Sequence, residues 1–94
     1  TYELEFKKSA LKEWKKLGAT IQSQLKKKLT DILNNPHIES AKLSGGNELY
    51  KIKLRQAGYR LVYEVNDTVV TVTVISVGKR DKGKAYKAAM ERIN

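Results

Sequence analysis

The sequence predicts an α+β fold: an N-terminal strand, a helical hairpin, a three-stranded antiparallel sheet and a short C-terminal helix, with the helices mainly on one face. Three observations lead there. Apolar residues recur at helical spacing through residues 9–33 and at alternate positions through 49–77. The strand-like runs are joined by "QAG" and "NDT", too short for anything but antiparallel hairpins. The chain has 94 residues, the size of one domain around one core, here residues 1–94.

Residues 2–6, "YELEF", alternate Tyr2, Leu4 and Phe6 against Glu3 and Glu5 and read as a half-buried strand. "KSALKEWKKLG" follows, a helix with Ala10, Leu11, Trp14 and Leu17 on one stripe, Ser9 as its N-cap and Gly18 as its stop. In "ATIQSQLKKKLTDILNN" Thr20 is the expected cap. Ile21, Leu25, Leu29, Ile32 and Leu33 form the inward stripe, and Asn34, Asn35 and Pro36 end it. A polar loop with "SGGN" leads to strands at 49–55, 59–65 and 69–77. The closing helix has Asp81 as cap, with Ala85, Ala89, Met90 and Ile93 inward.

Nineteen Lys and Arg against ten Asp and Glu leave a net charge of +9 and a pI near 9.8. Residues 1–41 hold eight bases and five acids, whereas residues 42–94 hold eleven and five, so the excess sits mainly in the sheet half. A compact domain with this balance attracts polyanions, nucleic acid above all. There is no cysteine, hence no disulfide or thiolate metal site, in keeping with a reducing, cytoplasmic setting. No apolar run is long enough for a membrane span, so no membrane partner is expected.

Period-two alternation assigns faces. Tyr50, Ile52 and Leu54 point one way and Lys51, Lys53 and Arg55 the other. On the next strand Leu61, Tyr63 and Val65 oppose Arg60, Val62 and Glu64. With the apolar sets under the hairpin, Lys51, Lys53 and Arg60 converge on the open face, because a one-residue slip would bury three cations. Exposed lysines on a strand are ordinary and discourage edge aggregation. Here they crowd adjacent strands with Glu64 as the one carboxylate between them. "GKRDKGKAYK" adds Lys79, Arg80, Lys82, Lys84 and Tyr86.

The residues limit the chemistry. His37 is the single histidine, expected away from that face. HExxH, CxxC, a Walker loop and paired carboxylates are all missing, so neither metal nor nucleotide cofactor is implied. Phosphodiester cleavage fits this inventory: cations bind the phosphate and stabilise its developing charge, and a lysine crowded by cations has a lowered pKa and can act as a base. On RNA the neighbouring 2′-OH is the nucleophile, and a tyrosine can stack a base. A passive RNA-binding module accounts for the same charges.

The ordered set "ALKEWKKLG", "QLKKKL", "YKIKLRQAGYRLVYEV" and "VISVGKR" with a Tyr-bearing tail resembles the RelE/ParE toxin superfamily, and its RelE branch in detail, over nearly the whole chain. The resemblance implies the toxin of a type II toxin–antitoxin pair that enters the ribosomal A site, contacts rRNA and mRNA, and cleaves the codon there without a cofactor. The products would be a 2′,3′-cyclic phosphate and a 5′-OH. It implies catalytic roles for Lys51, Lys53, Arg60, Arg80 and Tyr86: strand lysines with a general base among them, a phosphate clamp, a stabiliser of the leaving oxygen and a base-stacking ring. Lys79, Lys82, Lys84 and Arg55 are expected to bind RNA. The implied partners are a RelB-like antitoxin, and operator DNA only through the antitoxin complex. At Ser44 the chain departs from the branch, whose members carry a basic residue there. A gyrase-inhibiting ParE-like toxin without nuclease activity is the competing reading on the same fold.

Overall fold

The computed structural model describes residues 1–43, 48–79 and 84–93, with Lys84, Ala85, Tyr86, Met90 and Ile93 by backbone alone. In chain order these form β1 (Glu3–Phe6), α1 (Lys8–Lys15), α2 (Ala19–Ile32), a 3₁₀ turn (Glu39–Ala41), β2 (Leu49–Leu54), β3 (Tyr59–Asn66), β4 (Thr71–Lys79) and α3 (Lys84–Ile93). The sheet order is β1-β4-β3-β2. The α+β class agrees with the sequence, but the sheet has four strands and is mixed. β1 runs parallel to β4, from Glu3↔Thr71 to Phe6↔Val74, while β2–β3 and β3–β4 are antiparallel. Parallel pairing needs a long connection between the two strands, which the hairpin and the β2–β3 meander supply.

The main core lies between hairpin and sheet. Ala10, Leu25, Leu29 and Ile32 meet Tyr50, Ile52, Leu54, Leu61, Tyr63, Val65, Val72, Val74 and Val77. These are the predicted stripes, except that Leu11 is 38% exposed rather than inward. The expected capping differs. Ser9 and Thr20 lie inside their helices, and Gly18, with φ −65° and ψ 157°, occupies the extended N-cap position of α2 instead of stopping α1. The link is too tight for a separate stop. Lys16 and Leu17 donate their amides back to Glu13 and Trp14 carbonyls, and the Gln22 side chain donates to the Trp14 carbonyl at 2.8 Å. Gln22 thus does what a C-cap residue would do.

The helices are not confined to one face. Ala89 of α3 packs on Leu49, Val62 and Ile75, with Leu43 alongside, forming a second core on the opposite side of the sheet. A β-bulge makes this possible: Val62 pairs with Ser76 and Tyr63 with Val74, so Ile75 is an extra residue. Val74 and Val77 therefore share the hairpin face although three residues apart, and Ile75 is spared for α3.

β4 begins at Thr71, not at residue 69. Val69 and Val70 sit in the turn, 62% and 44% exposed, with Val70 at φ +51°. Asn66 stabilises this turn by accepting from the amides of Thr68 and Val69 through Oδ1. At the β2–β3 turn, Gly58 takes φ +73° and donates its amide to the Leu54 carbonyl at 2.8 Å, the left-handed geometry that glycine adopts freely. The expected cap Asp81 and the "SGGN" loop with Ser44 lie outside the described residues, as do the side chains of Ala85, Met90 and Ile93.

Candidate functional site

β2 and β3 set the geometry of the cationic cluster. Their register pairs Lys53 directly with Arg60 and Lys51 with Val62, so the three cations share the face opposite the hairpin, and all three are half-buried. Directly opposed residues approach to about 5 Å between Cβ atoms, close enough for like charges to cost free energy. The consequence falls on Lys53. The charge of Lys51 first, then partial desolvation, then Arg60 and Arg55, hold its ammonium below the usual lysine pKa. Arg60 pairs on its other side with Gly78, which brings no side chain beside the guanidinium.

The face is less open than expected. Its Leu49–Val62–Ile75 end is roofed by α3, and the cations occupy the end beyond. Lys79 pairs with Tyr59 and so lies on the hairpin side, away from Arg60. Arg55 is exposed in the β2–β3 turn, near enough for its charge to act on Lys53. Arg80 and Lys82 lie outside the described residues. The backbone of Lys84 and Tyr86 is in the first turn of α3, on the same side of the sheet as the cluster, with side chains outside the description.

Two arrangements escaped the sequence. Past the end of β1 the edge of β4 is finished by side chains. Glu13 Oε1 of α1 accepts the Val77 amide at 3.2 Å, and Arg92 Nη1 of α3 donates to the Ile75 carbonyl at 2.8 Å. Arg92 also grips Glu13 with both terminal nitrogens, at 2.9 and 3.3 Å. Glu13 lies beside Ala10 and Trp14 on the inward half of α1, and a lone acid there was the available signal.

The second is a network around His37. Its Nε2 meets Asp67 at 2.9 Å, and its Nδ1 lies 3.0 Å from the Tyr50 hydroxyl and 3.2 Å from Glu48. The Tyr2 hydroxyl donates to Asp67, and that of Tyr50 donates to Glu48 at 2.9 Å. The bond to Asp67 raises the His37 pKa, while the bonds from Tyr2 and His37 lower that of Asp67. Burial and then Glu48 push Tyr50 up to about 12. Because Tyr50 belongs to the hairpin face, the His37 network lies on the other face of the sheet from the cations, as expected. Among the described residues no His, Cys, Asp or Glu group could hold a metal, and no helix is long and apolar enough to cross a membrane.

The arrangement can bind a phosphate, stabilise added negative charge on it, and supply a lysine with a lowered proton affinity. Comparison with known proteins gives the same direction. The model of the ParE toxin of type II toxin–antitoxin systems matches residues 4–83. The mRNA interferase toxin RelE of Escherichia coli K12 is 56% identical over 92 residues, covering 98% of this chain and 97% of that protein. The mRNA interferase RelE of Shigella flexneri is equally similar. An arginine double mutant of E. coli RelE in the free state superposes with a TM-score of 0.91 at 55% identity, covering 99% of this chain and 98% of that one. In the intact E. coli RelBE toxin–antitoxin complex the match has a TM-score of 0.84 at 57% identity, over 87% of this chain and 100% of that one. The chain belongs to the RelE/ParE toxin superfamily, in its RelE branch.

Proposed function

We propose that residues 1–94 act as one domain, the toxin of a type II toxin–antitoxin pair and a ribosome-dependent mRNA endoribonuclease acting in the A site of the cytoplasmic ribosome. The observation that carries the chemistry is the Lys51–Lys53–Arg60 cluster, in which crowding lowers the pKa of Lys53. In its free-amine form Lys53 accepts the proton of the 2′-OH. That oxygen bonds to the adjacent phosphorus and the P–O5′ bond breaks, giving a 2′,3′-cyclic phosphate. Arg60 and Lys51 hold the non-bridging oxygens and stabilise the charge that builds there. Arg80, by its place in "GKR", stabilises the departing 5′ oxygen, which takes a proton from solvent and leaves as a hydroxyl, and Tyr86 stacks the base. No step calls for a metal. Outside the ribosome the same positive face suits an acidic RelB-like antitoxin; a similar toxin is known in a toxin–antitoxin complex.

Primer extension on a translated message tests the reading. Breaks inside codons are expected on induction of the chain alone, and they should vanish with Arg60→Ala. A second reading is favoured by the family model, which is that of ParE toxins: a gyrase inhibitor without nuclease activity. Inhibition of supercoiling together with intact messages would establish it instead.

A further inference from the structure

We propose that a trough along the outer edge of β2, beyond the bridge of Lys42 to Tyr50, is a binding track for an RNA phosphodiester backbone, continuous with the Lys53 cluster. It deepens the nuclease reading and rests on it. β2 is the outermost strand, and α2 flanks it. Leu25, Leu29 and Ile32 of α2 turn inward, which leaves Lys27 and Lys28 exposed beside the strand. Between them is a groove of about 620 Å³ lined by Lys27, Lys28, Lys53 and Arg55, with Gln24 and Gln56 as neutral hydrogen-bonding groups. A smaller one of about 270 Å³ shares Lys28 and Lys53 and adds Lys51. Lys28 and Lys53 join the two into one trough.

Among the described residues five cationic residues line it against a single acidic one, Asp31, which lines both parts; Lys51 and Lys53 reach it at the strand edge from the opposite face. Among the described residues no carboxylate lies within ion-pair distance of Lys27, Lys28 or Arg55. Such crowding is relieved by an external polyanion. RNA fits better than an acidic peptide added to the edge. The trough continues past Leu54 to Gln56 and Ala57, where the strand has ended and a pairing peptide would lose its ladder. Phosphates need no ladder. Long lysine side chains meet them as point charges without fixed register. Lys53 lies both in the cluster and in the trough, so a strand held at the scissile phosphate has its neighbouring phosphates led along this edge.

The test uses the intact chain, a fluorescein-labelled twelve-nucleotide poly-uridylate and a poly-glutamate peptide as probes, with programmed ribosomes for cleavage. In the Lys27→Gln/Lys28→Gln/Arg55→Gln variant, losing three phosphate contacts lowers the slope of log affinity against log salt by about 2. Affinity at low salt should fall about tenfold or more. In Lys27→Gln/Lys28→Gln, which leaves the charges around Lys53 in place, KM for cleavage should rise with kcat held, because flanking contacts bind ground and transition states alike. Lys27→Arg/Lys28→Arg should keep wild-type binding. A folded triple variant with an unchanged salt slope overturns the proposal, as does a loss confined to poly-glutamate. If shortening the message downstream of the cut codon raises the wild-type KM and leaves the variant's alone, the backbone is the message's. If only affinity for empty ribosomes falls, it is ribosomal RNA. Wild-type chain that binds poly-uridylate through the trough yet never cleaves messages refutes the nuclease reading and leaves the trough standing.

Discussion

The molecule gathers titratable side chains at two places and treats them in opposite ways. Around His37 the charges alternate, and each group has an internal hydrogen-bonding partner: Asp67 takes Tyr2 and His37, and Glu48 takes Tyr50 and lies 3.8 Å from Lys42. Around Lys53 the neighbours are Lys51, Arg60 and Arg55, and Lys53 is disfavoured in its charged form. The first cluster is satisfied by the fold. The second gathers like charges, which suits it to the phosphate of the proposed reaction. Perturbed titration marks both, so a perturbed group alone does not locate chemistry; the sign of the charges crowded around it says which ligand it suits.

The largest effects come from breaking the cationic cluster. Arg60→Ala and Lys53→Ala should each lower kcat by about 10²–10³, as removal of a charge-stabilising or proton-transferring group does, measured by single-turnover cleavage on programmed ribosomes. Both variants should remain folded, since neither side chain belongs to the two cores. A second effect concerns pH. Cleavage should rise with pH as Lys53 loses its proton, with a midpoint below the ordinary lysine value of 10.5. Because Lys51 is the largest cause of the shift, Lys51→Ala should move that midpoint upward in a pH–rate profile. An unmoved midpoint would assign the base elsewhere.

Glu13→Ala strikes at neither cluster and calibrates both. It leaves Arg92 half-buried beside the bulge and should cost roughly 1–3 kcal/mol in denaturant unfolding. Smaller still is the compensated cluster. His37, with its raised pKa, contributes stability that is fully present below the unfolded value of 6.5 and is lost as pH rises through the higher folded value. Asp67, with its lowered pKa, contributes stability present above 3.8 and lost as pH falls through the lower folded value. His37→Gln should flatten thermal stability between these limits, lowering Tm by a few degrees near pH 5 and leaving cleavage intact. The smallest effect is at Val70. Asparagine tolerates its left-handed backbone better, and Val70→Asn should stabilise by about 0.5–1 kcal/mol.

Lys51, Lys53 and Arg60 were legible because an alternating strand with one apolar face has a single tolerable register. What was not legible depends on contacts remote in sequence. Nothing in "YELEF" says that it runs parallel to β4, and nothing local says that α3 takes the far face. A hint was available there: Leu49 and Val62 share a face with Lys51 and Arg60, and an apolar pair among cations calls for a cover. The bulge was also written in "VTVISV", where apolar positions change from even to odd numbers after Val74. Cap residues misled because helix ends shift by one or two residues when a side chain such as Gln22 takes over the closing bond.

The extra residue in β4 has a consequence for how this surface tolerates change. Removing Ile75 would leave every pairing on both sides in register, Tyr63 with Val74 and Val62 with Ser76. The sheet would stay whole and α3 would lose its seat. One position thus lets the strand serve two masters: an unbroken ladder for the hairpin core, and a socket behind it that keeps a helix beside the cations.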